Sequence, residues 1–340
     1  FRLWRQGSTV PASACSDWCD MSALDFEVPE KGNGKITHDR LMGTCIQTLE
    51  GHVSCILALT FLTERKLLSG GKDNLIKVWS LPEGDCLRTM RGHDSWVRCL
   101  VALGPDRCVS GGDDMTVRVW NTAQGICDAV LTGHSGWVYC MTSVPSMPGM
   151  VVTGGSDDDI KLWNVDSETG DCLRTLEGHA DCVLALVVAQ GRLVSASSDA
   201  TLRVWPLADG DPGVKTRPLK TLKGHTGPVS ALAVLSGEPE QVVSGSDDLT
   251  LRIWDIDKGT FLRLLAVQTS LLTALATAGA GTFITAGLAT HESALQWSSV
   301  ESGNVIGICK EHTQTVYAIA CLPELGCRQV VSAGADRRIR

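Results

Sequence analysis

Aromatic residues are few, 5% of the chain, as ten Trp, five Phe and two Tyr among 340 residues. A tyrosine or tryptophan outside a core role is therefore a conspicuous use of a rare side chain. Positive charge is also short: 30 Lys and Arg face 38 Asp and Glu, a net −8, so a nucleic-acid backbone would meet a surface of the wrong overall sign. Nucleic acid is excluded as the expected partner, and Arg337-Arg338, on a predicted turn, reads as solvated charge. No phosphate-cradling Gly-rich loop, HExxH or paired-carboxylate motif occurs; Gly70-Gly71 and Gly111-Gly112 fall at repeat turns, where glycine supplies backbone freedom.

A membrane span is not expected either. Residues 264–290 carry no charge, but Gly and Thr interrupt the run and its place in the chain predicts two buried strands. The N-terminus lacks the charged, apolar and small-residue order of a signal peptide and does not begin with Met, so the chain reads as a piece of a longer one. Fourteen cysteines are spread singly along apolar strand patterns, Cys99, Cys140, Cys182 and Cys321 among them. That is the use of a small hydrophobe in a reducing compartment, cytoplasm or nucleus, rather than a disulfide framework. Cys15 and Cys19 flank Trp18, but His38 and Cys45 follow at no recognisable ligand spacing, so no metal and no cofactor are expected.

What the chain does have is one segment written many times. Residues 92–120, GHDSWVRCLVALGPDRCVSGGDDMTVRVW, open on Gly-His, continue through an apolar run, turn at Asp113-Asp114 and close on Trp120. The same punctuation spans Gly51-His52 to Trp79, Gly133-His134 to Trp163, Gly178-His179 to Trp205 and Gly224-His225 to Trp254. The histidines at 52, 93, 134, 179 and 225 are 41, 41, 45 and 46 residues apart, the period of four strands per propeller blade.

Five in-register copies of Gly-His, an Asp-bearing turn and a closing Trp strand resemble the WD-repeat β-propeller family over residues 44–340. The resemblance implies an all-β propeller of four-stranded antiparallel blades, each holding a hydrogen-bonded tetrad. The matching positions are His52, Ser69, Asp73 and Trp79; His93, Ser110, Asp114 and Trp120; and His134, Thr153, Asp157 and Trp163. They continue as His179, Ser195, Asp199 and Trp205, then His225, Ser244, Asp248 and Trp254. His312, Ser332 and Asp336 begin a further set whose Trp falls past Arg340.

Blades are expected at 53–90, 94–131, 135–176, 180–222 and 226–265, with 208–218 an enlarged turn in the fourth. A sixth is degenerate: Val267-Gln268 replace Gly-His, and the turn after Thr285-Ala286-Gly287 is lengthened before Trp297, so at least the histidine of its tetrad is missing. Strand 44–49 lacks a blade of its own and is expected to close the seventh from outside, with Phe1–Trp4 supplying the neighbouring strand and its Trp. Seven blades follow; an eight-bladed ring in a longer parent is the alternative. Residues 5–43 break the pattern and read as an inserted or disordered surface loop, or as a docking segment carrying Trp18 and Phe26.

Recurring Ser, His and Asp invite a hydrolase reading. Equal spacing in every well-formed repeat argues instead for a structural network, in which each unpaired member would cost about 1 to 3 kcal/mol. The expected function is non-catalytic protein interaction. In the WD-repeat family partners dock near the central channel, on the third and fifth residues after the Gly-His histidine and on the residue before the tetrad Asp. Here those positions include Leu57 and Lys72; Trp96, Arg98 and Asp113; Trp137 and Tyr139; Leu184; Asp247; and Tyr317. Either these rings anchor a partner or they cover the core at the channel mouth. Partners are expected to be proteins or peptide motifs, within a multi-subunit complex. The alternative is a substrate receptor of a ubiquitin ligase, but a lone Arg98 is thin for reading phosphorylated motifs. The W-D-x-R sequence some relatives use is also absent, Trp254-Asp255-Ile256-Asp257 being the nearest approach.

Overall fold

Apolar runs four to eight residues long, cut by Gly, Asp and Asn turns, form strands because alternating side chains leave one face for each neighbouring layer. The computed structural model describes residues 2–5, 44–167, 172–207, 216–235, 240–267, 271–279, 281–287, 293–321 and 329–337. The chain opens with β1 (Arg2–Arg5) and β2 (Thr44–Thr48). Blade one holds β3 (Ile56–Thr63), β4 (Lys66–Gly71), β5 (Ile76–Ser80) and β6 (Cys86–Met90). Blade two holds β7 (Val97–Ala102), β8 (Arg107–Gly112), β9 (Val117–Asn121) and β10 (Ile126–Leu131). Blade three has β11 (Val138–Ser143), β12 (Met150–Gly155), β13 (Ile160–Asn164) and β14 (Cys172–Leu176). Blade four has β15 (Val183–Ala189), β16 (Arg192–Ser197), β17 (Thr201–Pro206) and β18 (Lys220–Lys223). Blade five is built from β19 (Val229–Leu235), β20 (Gln241–Ser246), β21 (Thr250–Asp255) and β22 (Thr260–Val267). Blade six follows with β23 (Leu272–Thr277), β24 (Thr282–Gly287), β25 (Ser293–Ser299) and β26 (Val305–His312), before β27 (Val316–Cys321) and β28 (Gln329–Gly334).

These strands make seven four-stranded antiparallel sheets, the last in the order β2-β1-β28-β27. The innermost strands follow one another around a ring, β3, β7, β11, β15, β19, β23, β27, and β27 returns against β3. The fold is therefore a seven-bladed propeller. In its closing blade Trp4 stands opposite Val330 and Arg2 opposite Ser332, the register that sets Trp79 opposite Leu67 and Lys77 opposite Ser69 in blade one. The first strand of the chain thus stands where every other blade has its third. The uncharged stretch after residue 264 contributes the end of β22 and the strands β23 and β24. Among the described residues no helix is long and apolar enough to cross a membrane.

Cores lie between blades rather than within them. Leu68, Ile76 and Val78 of blade one pack with Val97, Cys108 and Trp120 of blade two. Leu49, Val331 and Ala333 of blade seven close on Ile56, Leu67 and Trp79 of blade one. The second strand of each early blade is buried on both faces for this reason, as the burial of Leu67 to Gly71 and of Cys108 to Gly112 shows. Close approach requires glycine at some of these contacts: a Cβ on Gly111 would lie 2.6 Å from Val138 Cγ1 of the next blade.

Two expectations need correction. Blade five does not end at 265, because β22 continues to Val267, which pairs with Thr250. In blade six Trp297 does not take the place of the closing tetrad Trp. It stands opposite Ile284, while Ser298 stands opposite Phe283; in blade one the corresponding pair is Leu67 with Trp79. One residue of slip turns Trp297 to the other face of its strand. Volume is exchanged across the pair, with a fully buried Phe283 where other blades have Leu, Cys or Val, and a small buried Ser298 where they have Trp. Residues 208–215 of the enlarged turn lie outside the described residues, as do residues 6–43 with Cys15, Trp18, Cys19, Phe26 and His38.

Candidate functional site

The tetrad residues come together as a relay in each well-formed blade. In blade two Trp120 Nε1 donates to Ser110 Oγ at 2.8 Å, Ser110 Oγ lies 2.6 Å from His93 Nε2, and His93 Nδ1 donates to Asp114 Oδ2 at 2.8 Å. Trp79, Ser69, His52 and Asp73 repeat this in blade one with distances of 2.8, 2.7 and 2.8 Å. Trp163, Thr153, His134 and Asp157 do so in blade three, at 2.8, 2.7 and 2.8 Å. Blade four joins Trp205, Ser195, His179 and Asp199 at 2.8, 2.7 and 2.8 Å. Blade five joins Trp254, Ser244, His225 and Asp248 at 2.7, 2.8 and 2.8 Å. In blade seven His312 lies 2.7 Å from Ser332 Oγ and 3.0 Å from Asp336 Oδ2.

Proton placement follows from the partners. The carboxylate only accepts, so Nδ1 carries the histidine proton, and the hydroxyl, already accepting from the indole, donates to Nε2. In blade five burial holds His225 below its ordinary value despite Asp248 beside it. Burial also pushes Asp248 upward, but Thr250 and His225 side chains and the Thr226 N–H outweigh it and bring the carboxyl to about 2. The network leaves no room for acyl chemistry: Ser110 Oγ is fully buried between an indole and an imidazole.

The tetrad Asp also shapes the turn beside it. Asp114 Oδ1 accepts from the Thr116 N–H, and Asp73 Oδ1 from the Leu75 N–H. The residue in between is held left-handed, at φ 64 in Asn74, 63 in Met115 and 64 in Asp158, Ala200 and Leu249. On the other side of the Asp, the preceding residue donates its N–H to the third residue after the histidine. Lys72 to Cys55, Asp113 to Trp96, Ser156 to Trp137, Ser198 to Cys182, Asp247 to Pro228 and Ala335 to Thr315 all do this at 2.8 to 3.0 Å. The tetrads thereby present both backbone positions on one face of the ring.

Seven of the ten candidate residues meet there. Arg98 Nε and Nη2 donate to the two Asp113 carboxylate oxygens at 2.6 and 2.9 Å. The Arg98 guanidinium also lies 4.9, 5.9 and 5.5 Å from the ring centres of Trp96, Trp137 and Tyr139. Lys72 Nζ sits 4.1 Å over Trp96 and 5.9 Å from Tyr317. Trp137 meets Tyr139 edge-on at 6.2 Å and is 44% exposed, whereas Trp96, Tyr139 and Tyr317 are half-buried. Blades seven, one, two and three are joined into one aromatic and cationic strip. Leu57 and Leu184 are half-buried on β3 and β15, and Asp247 is exposed on blade five, where it forms no ion pair among the described residues.

Sequence reasoning missed three features. Arg98 is neutralised by Asp113 of its own blade, a pairing whose signal was opposite charge at two positions that the repeat brings to one face. Lys72 bridges two aromatics from neighbouring blades, Trp96 and Tyr317. Beyond Trp137, ligand atoms of Asp158, Asp181 and Cys182 lie within 4.8 Å of one another. Burial, and then the Asp181 charge, push the Asp158 carboxyl upward. Asp158 comes from blade three and the adjacent Asp181 and Cys182 from blade four, so no local motif made this group readable.

Residues 43–80, 84–121, 125–164, 170–206 and 216–255 match the family described as WD domain, G-beta repeat. The chain is 42% identical over 78 residues to an uncharacterized WD repeat-containing protein of Schizosaccharomyces pombe, 22% of this chain and 20% of that protein. It is 37% identical over 76 residues to protein transport protein sec13 of Aspergillus clavatus, 20% of this chain and 26% of the other. Against the phospholipase A-2-activating protein of Xenopus laevis it is 37% identical over 94 residues, 27% of this chain and 10% of that one. The matched stretches thus span about a quarter or less of these relatives' own length. Five matched repeats, carried on seven blades with tetrads in register, show that the chain belongs to the WD-repeat family.

Proposed function

We propose that this protein is a non-catalytic scaffold that binds peptide or protein segments on the face bearing Lys72, Trp96, Arg98, Asp113, Trp137, Tyr139 and Tyr317. Residues 44–340 form the binding unit, with strand β1 completing its last blade. The observation that carries the reading is Trp137, an indole left 44% exposed while it packs edge-on against Tyr139 beside the Arg98 guanidinium. Core-covering rings gain by being covered; an exposed indole held in place by its neighbours is poised to bury further area against a partner. Leu57, Leu184 and Asp247 belong to the same face and flank this centre. Assembly into a multi-subunit complex suits such a surface, and the free thiols among the described cysteines suit a cytoplasmic or nuclear site.

The test is quantitative affinity capture with the wild type, a Trp96→Ala/Trp137→Ala double variant and a rim control, Ile126→Ser, on the exposed side of β10. Partners lost from the face variant and kept by the rim control support the reading. Equal recovery by all three proteins refutes it.

A further inference from the structure

The strip does not end at Tyr139, and its two ends carry opposite charge. Cys140, next to Tyr139 on β11, has its Sγ 3.5 Å from the carbonyl of Val183 on β15, which brings Cys182, the residue before it, to the Tyr139 side of the next blade. Cys182 is in turn within 4.8 Å of the ligand atoms of Asp158 and Asp181. Along the face the order is Tyr317, Lys72, Trp96, Arg98, Trp137 with Tyr139, then Cys182 with Asp158 and Asp181. The first end holds a cation with no carboxylate partner among the described residues: Lys72 is held over Trp96 by ring contact alone. In the middle, Arg98 is already satisfied by both oxygens of Asp113 and offers a flat, neutralised surface. At the far end the carboxylates of Asp158 and Asp181 lie within 4.8 Å of each other, close enough for two like charges to repel.

We infer that this face binds an extended segment of a partner protein in one direction, with an acidic side chain at Lys72, an apolar or aromatic side chain over Trp137, and a Lys or Arg at Asp158 and Asp181. The inference rests on the binding face proposed above. Charge complementarity selects the occupant: a cation placed between Asp158 and Asp181 relieves their repulsion, and a carboxylate meets Lys72, which has no carboxylate partner among the described residues. A phosphorylated side chain fits the Lys72 end less well. It would bring about two negative charges to the Lys72 ammonium, with Arg98 already committed to Asp113.

The experiment uses synthetic nine-residue peptides of the order Glu-x-x-x-Phe-x-x-x-Lys with Gly and Ser at x, the reversed order Lys to Glu, and a version with phosphoserine in place of Glu. Each is fluorescently labelled and titrated with the purified chain by anisotropy. The acidic-first peptide should bind several-fold tighter than the other two. Lys72→Glu should weaken it about five- to tenfold, and replacing its Glu by Lys should restore the loss. Asp158→Asn with Asp181→Lys should weaken it comparably at the basic end. Asn is used at position 158 because the residue sits at φ 64, which Asn tolerates. Unfolding midpoints of all variants check that the fold is intact. If Trp137→Ala abolishes binding while the charge variants and both peptide orders bind alike, the polarity inferred here is wrong and the binding face stands. If phosphoserine binds best, the acidic-residue assignment is wrong. If Trp137→Ala leaves binding unchanged, or no peptide binds, both the polarity and the face are refuted.

Discussion

Asp114→Ala is the substitution whose cost the structure specifies best. The Asp114 carboxylate receives four donors: His93 Nδ1 at 2.8 Å, the Asp94 N–H at 3.1 Å, the Thr116 N–H at 3.1 Å and Thr116 Oγ1 at 2.8 Å. Its side chain is 7% exposed, and the His93 side chain is not exposed at all. Asp94 lies at the surface, so water replaces its lost bond at little cost. The His93 N–H has no such recourse, and one unpaired buried donor together with the lost charge-assisted bonds comes to about 2–4 kcal/mol. Asp114→Asn keeps the shape but turns an amide N–H₂ toward a donor, and should fall between wild type and alanine. Urea unfolding followed by tryptophan fluorescence and by near-ultraviolet circular dichroism measures both variants. A pH series adds a second check. Burial pushes the Asp114 carboxyl up, but His93 and Thr116 outweigh it and hold it well below the ordinary 3.8. A carboxyl depressed in the folded state stabilises above its unfolded value and loses that contribution as pH falls. The deficit of Asp114→Ala should therefore be constant from pH 7 to 5 and shrink below about pH 4. A deficit under about 0.5 kcal/mol, or one as large at pH 3 as at pH 7, would refute the assignment of this carboxylate to the blade's network.

Three further outcomes are expected. His225, held by burial below its ordinary 6.5, favours the folded state above that value and opposes it as pH falls, so the wild-type urea midpoint should decline below pH 6.5. His225→Gln should make that decline shallower, by up to about 1.4 kcal/mol per pH unit; parallel curves would sink the prediction. Met115→Asn should raise stability by about 0.5–1 kcal/mol, since Met115 sits at φ 63 and is 43% exposed; a lowered midpoint would show that its side chain matters more than its backbone. Cys86, exposed on β6, should be alkylated by maleimide in the native protein, while Cys99, Cys108 and Cys140, buried and with thiols pushed up by burial, should react only after unfolding. Mass spectrometry of peptides alkylated before and after urea separates the two groups, and native labelling of Cys140 would count against the packing between blades three and four.

Repetition made most of the fold legible. A position that recurs five times at one spacing reports a constraint common to all blades, and the relay from Trp120 to Asp114 is such a constraint. Legibility failed where a blade lacked its copy. In blade six the spacing from Thr285 to Trp297 was altered by a lengthened turn, and nothing local distinguishes a Trp in the tetrad position from one shifted by a residue. Only the pairing of Ser298 with Phe283 shows that the large side chain moved to the neighbouring strand. Ring closure was readable because Phe1–Trp4 repeats the closing strand and residues 44–49 repeat the strand before each Gly-His.

The proposed binding face was half legible, for a physical reason. The tetrads fix where the variable residues stand, because the N–H before each tetrad Asp is tied to the carbonyl three residues after the histidine, as in Asp113 to Trp96. What those residues do depends on neighbours from other blades. Arg98 by spacing alone is a free cation, yet Asp113 occupies it; Lys72 by spacing alone is one more surface lysine, yet it lies over Trp96 with no carboxylate partner among the described residues. Position is set within a blade, where the repeat supplies its own redundancy, whereas charge state and accessibility are set between blades, where each contact occurs once. The proposed recognition strip therefore lies in the part of the molecule that repetition cannot encode. Substitutions along the strip should change partner choice with little effect on the ring, and substitutions in the relay should do the reverse.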